Sequence, residues 1–245
     1  MEVHHHPEVE KKGFKEYVLE GLMIFLAVMM GFFAESIREN ITAKEHVEQL
    51  CRGLMQDLKT DTAKLDKLIT SQKTFLKNDD SLMLILEQPL SDIDKIKFQQ
   101  LVYNTLSVRE FNISTGNISA IKNELHLKQF ANSKITTYIG DYEGDVSDLK
   151  KSEDLEVGIL RSHIDPFITE HFTMINTNAT FFSKDGKITD SRIRHLTQDD
   201  LDKLGVGVVL VKLSYANVLM MQKASKNEAV VLINYIKKQY KLEDE

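Results

Sequence analysis

Residues 17–34, YVLEGLMIFLAVMMGFFA, carry one charge, at Glu20, and no proline, and charged residues flank them on both sides. Nothing else in the chain restricts the fold as much. At ~1.5 Å of rise per residue the segment makes a helix of roughly 27 Å, close to the ~30 Å hydrocarbon core of a bilayer. Apolar residues occupy every face of that helix, Phe14 and Tyr17 stand where interfacial aromatics belong, and Glu20 is near enough to the end to reach headgroups. The competing readings are a buried core helix, because the strictly uncharged run starts only at Gly21, and a cleavable signal peptide. Glu35, Arg38 and Glu39 continue directly in helix-favouring sequence, which argues for an uncleaved signal anchor.

The expected organisation is a short cytoplasmic tail over residues 1–16, one transmembrane helix over 17–34, and a helical bundle domain over 35–245. Lys11, Lys12 and Lys15 crowd the N-terminal flank, whereas Arg38, Lys44 and Arg52 are spread along the other side, so the positive-inside rule places the large domain outside the cytoplasm. The lone Cys51 can make no internal disulfide and leaves the compartment open. The sequons at Asn40, Asn112, Asn117 and Asn178 bear only on a eukaryotic secretory route.

Three prolines, eleven glycines and no tryptophan favour long helices over sheet. Val47, Leu50, Leu54, Leu58, Leu65, Leu68 and Phe75 recur at three, four or seven, with Lys59, Asp61, Lys64 and Lys67 read on other faces. The spacing predicts one helix over residues 14–76, then a turn at 78–80. A helix start is expected at Ser91 and Asp94 with helical spacing to 108, a turn over 112–119, and a break at Asn132 and Ser133. One long helix, bent at the polar stretch 150–154, is expected to follow. Residues 173–189, TMINTNATFFSKDGKIT, combine β-branched and aromatic residues with Asp185-Gly186, a hairpin signal, and predict a short non-helical excursion. Asp199 and Asp200 open a last helix to about residue 240, in which Lys203 and Lys212 bracket too short an apolar run for a second span. The fold class is therefore all-α: one transmembrane helix continuing into an antiparallel bundle.

The 31 Lys and Arg are outnumbered by 37 Asp and Glu, giving no electrostatic reason to expect a nucleic-acid partner. Only one of the eight histidines, His5, has a Glu three residues before it, so the paired Glu-x-x-His units of dinuclear bundle sites are missing, as are paired Cys-x-x-Cys, a phosphate loop and a nucleophile elbow. Gly205-Val206-Gly207 lacks the third glycine of a dinucleotide fingerprint. His163, Asp165, Glu170 and His171 cluster near Pro166, yet the two histidines stand about two helical turns apart. No catalytic residue and no cofactor is assigned, which points away from an enzyme. His4, His5 and His6 are weak metal-ligand candidates, against the simpler reading of an unstructured terminus or a tag remnant.

Association is the positive signal. Ala27, Gly31 and Ala34 form a small-residue stripe of the kind that lets membrane helices approach closely, and Glu20 is an intramembrane carboxylate that either snorkels or lines a path in an oligomer. The expected partners are the lipid bilayer and other membrane proteins or a second copy. HHHPEVEKKGFKEYVLEGLMIFLAVMMGFFAESIREN, the following LMQDLKTDTAKL and the later TGNISAIKNELHLKQF resemble an uncharacterised family of single-span membrane proteins of Bacteroidota. The resemblance covers about residues 4–75 well and the rest loosely. It implies a bacterial inner-membrane anchor with a helical domain in the periplasm, and no activity. The function expected from all of this is an interaction, scaffold or accessory subunit of an inner-membrane assembly, with a sensory input module or an oligomeric channel or transporter subunit as alternatives.

Overall fold

The computed structural model describes residues 13–131, 133–182 and 187–243, and those residues form six α-helices and one 3-10 turn, with no strand. The helices are α1 (Phe14–Leu86), α2 (Lys95–Asn104), α3 (Gly116–Asn123), α4 (Ile135–His171), α5 (Met174–Phe182) and α6 (Gln198–Tyr240). The chain divides into two compact units, residues 1–49 and 50–245.

In the first unit α1 presents Tyr17, Leu22, Ile24, Phe25, Met30, Phe32 and Phe33, all at least half exposed. Two helices, α1 and α6, are long and apolar enough to cross a membrane, against the single span that the sequence predicts. They differ in burial: none of the apolar window of α1 is buried, against 39% of that of α6.

In the second unit three long helices each carry a buried seam at alternating three- and four-residue steps, the signature of a helix with one face in a core. Along α1 the seam reads Cys51, Leu54, Leu58, Asp61, Leu65, Ile69, Gln72, Phe75, Asp79, Leu82 and Leu86. Along α4 it includes Ile135, Ile139, Tyr142, Leu149, Glu153, Glu156, Leu160, Ile164 and Phe167. Along α6 it runs Leu201, Leu204, Val208, Val211, Tyr215, Val218, Gln222, Ser225, Ala229, Leu232 and Ile236. Lys212 pairs with Asp80 at 2.5 Å and Lys226 with Asp66 at 2.6 Å, while the rings of Phe75 and Tyr215 lie 5.7 Å apart.

Several boundaries move. α1 does not turn at 78–80 but continues to Leu86, because Asp79 occupies the next seam position and Leu82, Ile85 and Leu86 are buried beyond it. It stops before Pro89, whose ring disfavours helix at the preceding residue. The cap of α2 is Asp94 itself, whose carboxylate accepts from the Ile96 and Lys97 amides at 3.1 Å, and Ser91 lies in the 3-10 turn Leu90–Asp92. α2 ends at Asn104, short of 108, and α3 begins inside the expected turn, at Gly116. α4 passes through 150–154 as helix, with Glu153 turned into the core.

The expected excursion at 173–189 is helical over its first half, α5, and irregular over 187–197; Asp185-Gly186 lies outside the described residues. Tertiary contacts override local β-propensity here. Asn176, fully buried, donates to Gln99 Oε1 at 2.8 Å and to the Asp190 carbonyl at 2.5 Å, while Met174, Ile175, Phe181 and Phe182 face outward. α6 opens on a capping box between Thr197 and Asp200.

α4 and α6 approach closely at Gly207, where an added Cβ meets the His163 Cβ at 2.9 Å. At Gly205 the same atom finds only Leu86 Cδ1, at 4.0 Å. Alanine gains ~1 kcal/mol over glycine in a helix interior, so Gly205→Ala stabilises by about that much. Gly207→Ala forces the two helices apart at a cost of ~1–3 kcal/mol, which exceeds or cancels the same gain. A stabilised Gly205→Ala beside a neutral or destabilised Gly207→Ala is the expected result in chemical denaturation; equal stabilisation would mean that the helices are not in contact at Gly207.

Candidate functional site

α1 places Glu20, Ala27, Gly31 and Ala34 along one line of its surface, since steps of seven, four and three residues return to the same face. All four are exposed, and a Cβ on Gly31 would meet nothing within 4 Å. The helix thus brings the Glu20 carboxylate and the small-residue stripe onto one face. His4, His5 and His6 lie outside the described residues. Just past the stripe, Arg38 donates to both carboxylate oxygens of Glu35, at 2.5 and 3.0 Å.

His163, Asp165, Glu170 and His171 are not gathered into a site. His171 is buried, its Nδ1 lies 3.0 Å from the Arg194 carbonyl oxygen, and its ring lies 4.6 Å from that of Phe167. The Cβ of His163 instead fills the space beside Gly207. Among the described residues no group of three or more His, Cys, Asp or Glu is arranged to hold a metal ion.

Sequence reasoning missed a set of polar side chains inside the second unit. Asp61, read as solvent-facing, is fully buried. Its Oδ1 accepts from Ser114 Oγ at 2.8 Å and Lys64 Nζ at 2.9 Å, and its Oδ2 from the Ser114 amide at 2.9 Å and Tyr142 Oη at 3.0 Å. Four donors from α1, the segment before α3, and α4 meet on one carboxylate. That satisfies a buried charge in the way a low-dielectric interior requires.

A second polar group lies further along the same seams. Gln72 donates to Glu156 Oε2 at 3.0 Å, and the Phe111 amide donates to Glu153 Oε1 at 3.0 Å. Both oxygens of Asp79, Oε2 of Glu153 and both amide atoms of Gln222 are buried without a hydrogen-bond partner. The signal that marks these residues is their spacing. Asp61, Gln72 and Asp79 on α1, Glu153 and Glu156 on α4, and Gln222 on α6 fill the gaps in otherwise apolar three-four seams. An open groove of about 470 Å³ is lined by Leu106, Val108, Leu160, Arg161, Asp165 and Phe181 and does not include them. No protein-family model, curated protein or solved structure matches the chain.

Proposed function

We propose that the chain is a membrane-anchored interaction or accessory subunit of an inner-membrane assembly, held by residues 17–34 as its single span. The observation that carries this reading is the full exposure of the apolar window of α1, which nothing in its own unit covers. A lipid environment accounts for that exposure, whereas α6 directs its seam into a protein core. Residues 50–245 then make an antiparallel bundle. The pairings of Lys212 with Asp80 and Lys226 with Asp66 support this, since residue numbers rise along α6 as they fall along α1. The lysines before the span favour a cytoplasmic N-terminus and a periplasmic bundle, in keeping with the resemblance to the Bacteroidota family. Ala27, Gly31 and Ala34 supply the surface through which the span meets another helix, with Glu20 at its end.

One observation favours a second reading, a sensory input module working through a partner: α1 is unbroken from Phe14 to Leu86, and a stiff helix passes on a piston or rotational movement.

Topology and assembly are tested together. With the buried Cys51 replaced by alanine, single cysteines at Lys11 and Lys187 are labelled in intact cells by an impermeant thiol reagent. Labelling at 187 and protection at 11 is expected, and the reverse pattern would invert the topology. Extraction in mild detergent then reports composition. A stable hetero-complex supports the accessory-subunit reading, a homo-oligomer the channel alternative, and a monodisperse single chain removes both.

A further inference from the structure

We propose that the core shared by α1, α4 and α6 is a proton-binding site, in which Asp79, Glu156 and Glu153 are held as neutral acids and whose deprotonation loosens the contact among the three helices. The geometry carries this. Asp79 has no exposed surface, and neither of its oxygens has a hydrogen-bond partner, so its carboxylate would be a bare charge in the interior. Glu156, 1% exposed, receives one neutral donor, Gln72. Glu153, also 1% exposed, receives one backbone amide and leaves its second oxygen unpartnered. Asp61, in the same seam, has two donors on each oxygen and no need of a proton.

The charged and titratable neighbours do not offset the burial. On α1, Asp80 adds like charge beside Asp79, and Lys212 of α6, the one cation opposing it, is paired with Asp80. Tyr215 of α6 is buried against the same layer. Around Glu153, Lys150 is paired with Glu110 at 2.7 Å and with Asp154 at 3.4 Å. Burial first, and then the like charges of Asp80 and Glu156, push the Asp79 carboxyl up to about 7. Burial likewise raises Glu156 to about 7, against the Gln72 hydrogen bond and helped by Glu153. Glu153 also rises to about 7 through burial, opposed by the Phe111 amide and Lys150. Asp79 feels the charge of Glu156, and Glu156 that of Glu153, so the loss of one proton bears on the next.

Unfolded Asp and Glu titrate near ~3.9 and ~4.3. Folded values above these mean that the native state holds more protons, so the stabilisation is complete below about pH 4 and is lost as the pH rises through about 7. The helices separate more readily on the alkaline side, which makes the bundle a pH-responsive element across the neutral range.

The test is hydrogen exchange by mass spectrometry on the full chain in mild detergent between pH 5.5 and 8, corrected for intrinsic exchange. Peptides covering residues 72–82, 149–160 and 208–222 are followed. Their opening equilibrium is expected to rise with pH, approaching tenfold per unit for each proton released. The triple variant Asp79→Asn, Glu153→Gln, Glu156→Gln, which mimics the neutral acids in shape, is expected to flatten that dependence. Infrared difference spectra of wild type against Asp79→Asn provide a readout independent of the triple variant's folding, with a protonated-carboxyl band at pH 6 assigned to Asp79. Opening of the wild type that is independent of pH, a pH dependence that survives in the folded triple variant, or the absence of that band would each overturn the proposal.

Discussion

Asp61→Ala is expected to destabilise the second unit by about 3–5 kcal/mol, the range for breaking a buried, hydrogen-bonded charge network from one side. The carboxylate has no exposed surface and accepts four hydrogen bonds, so its loss strands the Tyr142 hydroxyl and the Ser114 amide in the core and leaves Lys64 only the Asn112 carbonyl and the Ser114 hydroxyl as acceptors. Each stranded donor costs ~1–3 kcal/mol, which is why the total exceeds the loss of the Asp61 carboxyl contacts alone. Tyr142→Phe removes one donor and leaves three, and about 1.5–3 kcal/mol is expected from the loss of one hydrogen bond to a charged group. Denaturation of the full chain in detergent, followed by circular dichroism, measures both. Asp61→Ala within ~0.5 kcal/mol of wild type would mean that Asp61 reaches water and that the network is not part of the core.

The ordering of these effects depends on something the sequence carries only indirectly. The apolar seam of α1 is legible because Leu54, Leu58, Leu65, Phe75 and Leu82 repeat at helical steps, and the membrane-compatible stretch is legible because apolar residues surround it on all faces. An aspartate between Leu58 and Leu65 reads as solvated unless the donors are known, and those donors come from Ser114 and Tyr142, far away in the chain. The same limit explains the misplaced end of α1. Asn78, Asp79 and Asp80 look like a turn by composition, yet Asp79 faces inward and the helix continues over it. At α5 the local signal was wrong for a different reason. Its β-branched and aromatic residues do favour strand, but the one side chain the helix buries is Asn176, fixed by Gln99 and the Asp190 carbonyl. Polar residues that interrupt a seam at its own period are the feature to read as buried, ahead of composition.

The exposed apolar surface of α1 gives the second large effect, an all-or-none one. With Glu20, Ala27, Gly31 and Ala34 on one line of α1, a partner helix can approach the backbone most closely at Gly31, where no side chain intervenes. Gly31→Leu fills that space and is expected to abolish co-purification of whatever partner the proposed span holds, with the detergent-solubilised particle falling to a single chain. Met30→Leu adds no bulk on that line and is expected to leave the complex intact. The pair separates contact from hydrophobicity, because both variants keep residues 17–34 apolar. Glu20→Gln then tells the two possible uses of the face apart. If the carboxylate only snorkels, its amide leaves the complex as it was. If it meets a group on the partner helix, association weakens with Glu20→Gln as well, although the small-residue stripe is untouched. Retention of the complex in Gly31→Leu would move the association surface off the first unit's apolar helix and onto residues 50–245.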